Sequence, residues 1–163
     1  MNLSDIKPNT FPKDLLQDCE SGLCLFGAGF YGANDAIHMF KAGMRDVTIM
    51  DTDRQKIAAM VKMYPHEWYF LGHDVFDWLE SIVDYYKDPY LWDIVVVDPP
   101  LSLIHDVCAN LDKFLALASK YLVLTVSSMH THDNLHTRPD WRIQSWILRN
   151  KDPQTHLVVW ERY

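Results

Sequence analysis

Short apolar runs alternate with helical spacings along most of the chain. Gly22 to Phe26 is an apolar run that ends at glycine, and the Gly-Ala-Gly-Phe-Tyr-Gly beginning at Gly27 opens a helical pattern from about Ala33 to Lys41. Gly43 closes that helix, Val47 to Met50 forms the next strand, and a second helical stretch runs from Arg54 to Met63. The alternation continues with a strand over Trp68 to Leu71, a helix over Val75 to Tyr86 and a continuous β-branched strand over Trp92 to Val97, ended by Pro99-Pro100. Val107, Leu111, Phe114, Leu115 and Ala118 predict a helix from His105 to Ser119, and Tyr121 to Val126 a fifth strand. Upstream, Leu15, Leu16 and Cys19 give Phe11 to Cys19 a weak helical spacing.

This order demands an α/β fold: a Rossmann-like, mostly parallel sheet with helices on both faces. The last part of the chain changes character. A polar loop from Ser127 to Asp140 precedes two β-like runs, Trp141 to Arg149 and His156 to Tyr163, joined through Asn150-Lys151-Asp152-Pro153. They predict an antiparallel hairpin added to one edge of the sheet.

A length of 163 residues suits one domain, 1–163, with residues 1–20 as lead and helix and 141–163 as the hairpin. No linker or repeat divides it. The net charge of −7 argues against a broad electrostatic footprint for duplex nucleic acid, while leaving local basic patches open. No run of about 18 apolar residues occurs and the N-terminus has no basic-then-apolar signal, so no membrane segment and a cytoplasmic setting are expected. Cys19, Cys24 and Cys108 in no C-x-x-C spacing fit a reducing compartment.

The glycine pattern stands in the context that gives it meaning, directly after a strand and at the mouth of a helix. Gly27 permits a tight turn, Gly29 a close backbone approach to a ligand and Gly32 close helix packing; a plain glycine turn is the bland alternative. About 22 residues beyond Gly29, Asp51 ends the second strand, where a carboxylate can accept hydrogen bonds from both hydroxyls of a ribose. Asp53, just before Arg54, suits a helix N-cap. Asp98-Pro99-Pro100 lies at a strand's carboxyl end, where prolines lack amide hydrogens and leave carbonyls as acceptors. His130, His132 and His136 carry enough donors for a divalent metal, but their spacing matches no metal motif, so no metal is expected. A solvated loop beside a substrate pocket fits better, with His130 or His132 as a candidate general base.

Taken together, Gly27 to Gly32, Val47 to Asp53, Gly72-His73-Asp74-Val75 and Trp92 to Pro100 resemble the class I S-adenosylmethionine-dependent methyltransferases, from about Gly22 to the C-terminus. The resemblance implies S-adenosylmethionine as cofactor, with Gly27, Ala28, Gly29 and Gly32 on its methionine part and Asp51 and Thr52 at the ribose. It places Asp74 on the adenine amine and the Val75 amide on a ring nitrogen, with Phe76 or Trp78 against the ring. Asp98, Pro99 and Pro100 become the catalytic segment, positioning an amino group of a nucleobase, nucleotide or small molecule. Asp74 is also a good N-cap, and the two roles are compatible.

Two positions depart from the family pattern. Leu101 stands where amino-methyltransferases of nucleobases carry a stacking aromatic, and Leu25 stands where an acidic residue helps hold the cofactor's amino group. Tyr90, Trp92 or Trp141 could supply an aromatic face from elsewhere. A catalytically silent scaffold subunit of the same fold and an NAD-dependent oxidoreductase therefore stay open as alternatives. The acceptor, any nucleic-acid partner and the oligomeric state are not legible in the sequence.

Overall fold

The computed structural model describes residues 13–27, 34–64, 68–85, 91–127, 135, 138–151 and 154–163. Its centre is one seven-stranded sheet built from β1 (Ser21–Leu25), β2 (Asp46–Asp51), β3 (Trp68–Gly72), β4 (Trp92–Val97), β5 (Ala118–Ser127), β6 (Trp141–Lys151) and β7 (Gln154–Arg162). The strand order is β3-β2-β1-β4-β5-β7-β6. The first five strands pair in parallel, and β7 inserts antiparallel between β5 and β6. The expected Rossmann-like sheet with a hairpin at one edge is the architecture found.

Alternation along the strands builds two cores, one on each face. Leu23 and Leu25 of β1, Val95 and Val97 of β4, Leu122, Leu124 and Val126 of β5, and Val158 and Trp160 of β7 point to one face. There they meet α3 (Val75–Tyr85), α4 (Ile104–Ala109) and α5 (Leu111–Leu115) through Val75, Leu79, Ile104, Val107, Leu111 and Phe114. Cys24, Ile94, Val96, Val123, Leu157 and Val159 point the other way, toward α1 (Asn34–Lys41) and α2 (Arg54–Met63), which present Ala36, Met39, Ile57 and Met60. Trp92 breaks the alternation and joins the first core, because the β4–β5 register shifts between Trp92 and Ile94. With both faces covered, each fully buried Val or Leu contributes about 1.5–3 kcal/mol, which explains why β4 and β5 read as unbroken apolar runs.

Helix ends follow local chemistry. Asp53 caps α2, its Oδ1 accepting the amides of Gln55 at 3.0 Å and Lys56 at 3.1 Å. After α1, Gly43 takes φ +96°, the left-handed geometry that lets the Met44 amide reach back to the Met39 carbonyl at 3.1 Å.

Two expectations need correction. The lead segment expected as a helix over Phe11 to Cys19 is a 3-10 turn over Lys13–Asp18, whose Leu15 and Leu16 are buried while Phe11 lies outside the described residues. The single helix expected over His105 to Ser119 is a 3-10 turn (Leu101–Leu103) followed by α4 and α5, broken at Asn110. The Asn110 side-chain amide donates to the Asp106 carbonyl at 2.9 Å alongside its own backbone amide at 3.2 Å, and the Asn110 backbone leaves helical geometry at φ −105° and ψ 17°. Ala118 and Ser119 belong to β5, because Ala118 pairs with Trp92.

The amino ends of β1, β4 and β5 are tied together through Asp93. Its carboxylate accepts the Glu20 amide at 2.7 Å and the Ser119 hydroxyl at 2.9 Å, and its own amide donates to the Ser21 hydroxyl at 3.0 Å. The Lys120 ammonium stands 3.3 Å away. Burial opposes ionisation of Asp93, but these donors outweigh it and hold the carboxyl below its ordinary value. A carboxyl lowered by folding stabilises the native state above its unfolded value of about 3.9, and that contribution is lost as pH falls through the folded value. Asp93→Asn should therefore cost about 1–3 kcal/mol in urea unfolding at pH 7, and its deficit against the wild type should shrink progressively as the pH is taken below 4. A deficit independent of pH would show that the carboxylate's charge plays no part.

Candidate functional site

The chain winds outward from β1 to β2 to β3, then returns to place β4 on the other side of β1. In an open α/β sheet the crevice outside the carboxyl ends of the strands at such a reversal is where ligands bind. At this point β1 ends in a turn that no simple strand exit would adopt. Phe26 has φ +56°, the left-handed region that costs a non-glycine residue free energy, and it alone among the described non-glycine residues is positive. Its ring is buried 6.1 Å from the Phe76 ring, which in turn packs 6.5 Å from Phe114. This aromatic row anchors the strained backbone and links the glycine turn to the start of α3.

Gly27 follows. Its amide donates to the Met50 carbonyl at 3.0 Å, and a Cβ there would lie 2.9 Å from both Cβ and the carbonyl oxygen of Cys24 and 3.0 Å from Ile49. Glycine is required here by packing against Cys24 and Ile49, while the left-handed backbone of the turn falls on Phe26 instead of Gly27. Ala28, Gly29 and Gly32 lie outside the described residues, as does the His130, His132 and His136 loop.

On either side of this turn the strand ends deliver aspartates. Asp51, the last residue of β2, is 7% exposed, and its Oδ1 accepts the Asp53 amide at 2.9 Å; Thr52 beside it is exposed. Asp74, beyond β3, is exposed and accepts the amides of Phe76 and Asp77, each at 3.0 Å, while Val75 is wholly buried. Its capping role is thus real, and a carboxylate with two oxygens retains capacity for another donor. Asp98, beyond β4, sends its amide to the Leu25 carbonyl at 3.2 Å, and its Oδ1 accepts the Thr125 hydroxyl of β5 at 2.8 Å.

Pro99 is buried and Pro100 exposed. The Pro100 carbonyl accepts the Leu103 amide at 2.9 Å, so one of the carbonyls expected to face a ligand instead closes the 3-10 turn. Leu101 is 52% exposed at the start of that turn, beside the crevice.

Leu25, where an acidic residue would have been informative, is wholly buried in the core toward α3. Negative charge comes from elsewhere. Burial pushes the Cys24 thiol well above its ordinary value, and the carboxylates of Asp35 in the first turn of α1 and of Asp98 push it further. Asp35 and Thr125 escaped the sequence reading; Thr125 left one trace, a hydroxyl between the apolar Leu124 and Val126.

The donor set of an adenosine with an amino-acid tail, two ribose hydroxyls, an adenine amine and an ammonium group, is matched by acceptors here. Asp51, Asp74 and Asp98, contributed by three successive strand ends, are acceptors when ionised. The residues present fit such a cofactor.

No family model matches the chain, and no curated protein matches it in sequence. Solved structures do match in fold. An O-methyltransferase from Bacillus cereus in complex with SAH superposes with a TM-score of 0.66 at 13% identity, over 99% of this chain and 84% of the other. An rRNA methylase from Streptococcus thermophilus gives 0.64 at 16% identity, over 96% and 98%. Magnesium protoporphyrin IX methyltransferase from Synechocystis PCC 6803 with bound SAM gives 0.62 at 15% identity, over 90% and 72%. At these identities the likeness establishes the fold: a class I methyltransferase-type sheet ending in an antiparallel hairpin. The dinucleotide-binding order 3-2-1-4-5-6 lacks the inserted seventh strand found here.

Gly27→Ala should lower stability by about 1–3 kcal/mol in denaturant unfolding, since Cys24 backbone and the β-branched Ile49 must yield to the new Cβ. An unchanged midpoint would mean that the turn relaxes without cost.

Proposed function

We propose that the protein is an S-adenosylmethionine-dependent methyltransferase acting on an amino group of a nucleobase, nucleotide or small molecule. The observation that carries this reading is the convergence of Asp51, Asp74 and Asp98 on the carboxyl rim of a sheet ordered β3-β2-β1-β4-β5-β7-β6. When bound, S-adenosylmethionine supplies an electrophilic methyl group on a sulfonium.

The chain's own residues would hold and align. Asp51, buried and pre-oriented by the Asp53 amide, accepts the ribose hydroxyls, with Thr52 alongside. Asp74 accepts the adenine amine and the Val75 amide faces the ring, as the family resemblance implies. Gly27, with Ala28, Gly29 and Gly32 beyond it, lets backbone approach the amino-acid tail. Asp98 faces the acceptor amine, accepts its hydrogen bond and takes the proton released on transfer, with Pro99 and Pro100 shaping the segment. The work is chiefly alignment and exclusion of water rather than elaborate acid–base chemistry.

A second reading, a silent scaffold subunit, is favoured by Leu101, whose exposed aliphatic side chain cannot stack on a flipped base as an aromatic would. An amine acceptor that needs no stacking platform reconciles Leu101 with activity.

Calorimetric titration separates these readings. The protein should bind S-adenosylhomocysteine saturably and NAD not at all. Asp51→Ala should weaken that binding about tenfold or more, the equivalent of one hydrogen bond to a charged group, whereas Asp53→Ala should cost about 1 kcal/mol of stability and leave affinity intact. Binding of NAD alone would make the oxidoreductase reading the leading one, and silence with both ligands would favour the scaffold. With an acceptor in hand, Asp98→Ala should abolish label transfer while keeping cofactor affinity within about tenfold; wild-type turnover would remove Asp98 from the mechanism.

A further inference from the structure

Asp98 is held differently from the other rim aspartates. Asp51 and Asp74 each engage amides within three residues, contacts that a strand-to-helix junction forms locally. Asp98 Oδ1 accepts instead a hydroxyl from another strand, Thr125 Oγ1 at 2.8 Å and 27 residues away. The sheet register explains the meeting. Val97 pairs with Leu124, so the next position along each strand brings Asp98 beside Thr125.

Thr125 is 4% exposed, and its neighbours Leu124 and Val126 are wholly buried. Packing alone would be served as well by valine, which has the same shape and a high strand propensity. A buried hydroxyl costs free energy unless it is hydrogen-bonded, and the contact with Asp98 satisfies the Thr125 donor. The same face of the sheet carries Cys24, whose thiol feels the Asp98 carboxylate directly beneath the glycine turn.

We propose that Thr125 is a positioning residue, whose hydroxyl fixes the Asp98 carboxylate so that it meets a positive or amine-bearing group held at the β1–β4 switch. The proposal rests on the methyltransferase reading of the site. The tertiary hydrogen bond from Thr125 favours one orientation of the Asp98 carboxylate before ligand arrives, and pre-orientation of this kind strengthens interaction with a charge at one place.

Two ligands that share the adenosine and amino-acid ends and differ at the methyl position provide the test. S-adenosylhomocysteine is uncharged where the methyl would sit, and sinefungin carries an ammonium there. In titrations of the full chain, the wild type should prefer sinefungin about tenfold or more. Thr125→Val should lower that preference at least about fivefold while leaving affinity for S-adenosylhomocysteine within about twofold, and Thr125→Ser should restore it. Asp98→Asn should remove the preference, and adding Thr125→Val to it should change nothing further. Thr125→Ala replaces the valine variant if that one does not fold. A wild type without preference for sinefungin, an unchanged ratio in the valine variant, or a serine variant that behaves like valine overturns the proposal. A wild type that binds neither ligand removes the methyltransferase reading, and this proposal with it.

Discussion

At the carboxyl end of β1 two backbone hydrogen bonds, Gly27 amide to Met50 carbonyl and Asp98 amide to Leu25 carbonyl, carry the sheet one step past its last regular pairs. They hold the ends of β2, β1 and β4 together at the point where the winding reverses. Because β1 is buried along all five of its residues, nothing here can be satisfied by water, and each backbone group must find a protein partner. The left-handed Phe26 is the consequence. The chain must leave the sheet abruptly to open a crevice, and the Phe26–Phe76–Phe114 row offsets the backbone strain by burying aromatic surface.

That constraint also distributes charge. Apolar side chains fill both faces of the sheet, so carboxylates collect where strands end and helices begin. At the amino ends Asp93 serves as a clamp among β1, β4 and β5, its carboxylate surrounded by donors from Glu20, Ser119 and Lys120 and its amide donating to Ser21. At the carboxyl ends Asp51, Asp74 and Asp98 lie against turns and helix starts, where a further donor can approach. The two ends of the sheet thus use aspartates differently: Asp93 joins three strands at the amino ends, whereas Asp51 and Asp74 bind amides of the turns that follow their own strands.

Asp51 and Asp74 have local structural roles. Asp74 caps α3 and Asp51 orders the turn before α2, and in both cases the amides they bind fix the carboxylate in place. Capping is therefore a means of pre-orientation as well as a source of helix stability. Asp98 has no helix directly behind it, and Thr125 from the adjacent strand takes over that function.

The hydrophobic pattern by itself determined the alternation of strands and helices, the parallel core of the sheet and the hairpin at its edge, because period-two and period-3.6 burial are properties of consecutive residues. It likewise marked Asp51, Asp74 and Asp98, since a carboxylate at the end of an apolar run is a local event. The expected helix breaks at Asn110, whose side chain bonds the Asp106 carbonyl, and the Pro100 carbonyl is claimed by Leu103, two contacts that apolar periodicity does not record. Only the tertiary structure decided that Thr125 meets Asp98 and that the left-handed Phe26 packs against Phe76. Those depend on which strands become neighbours and in what register, and register is a property of pairs of segments far apart in the chain.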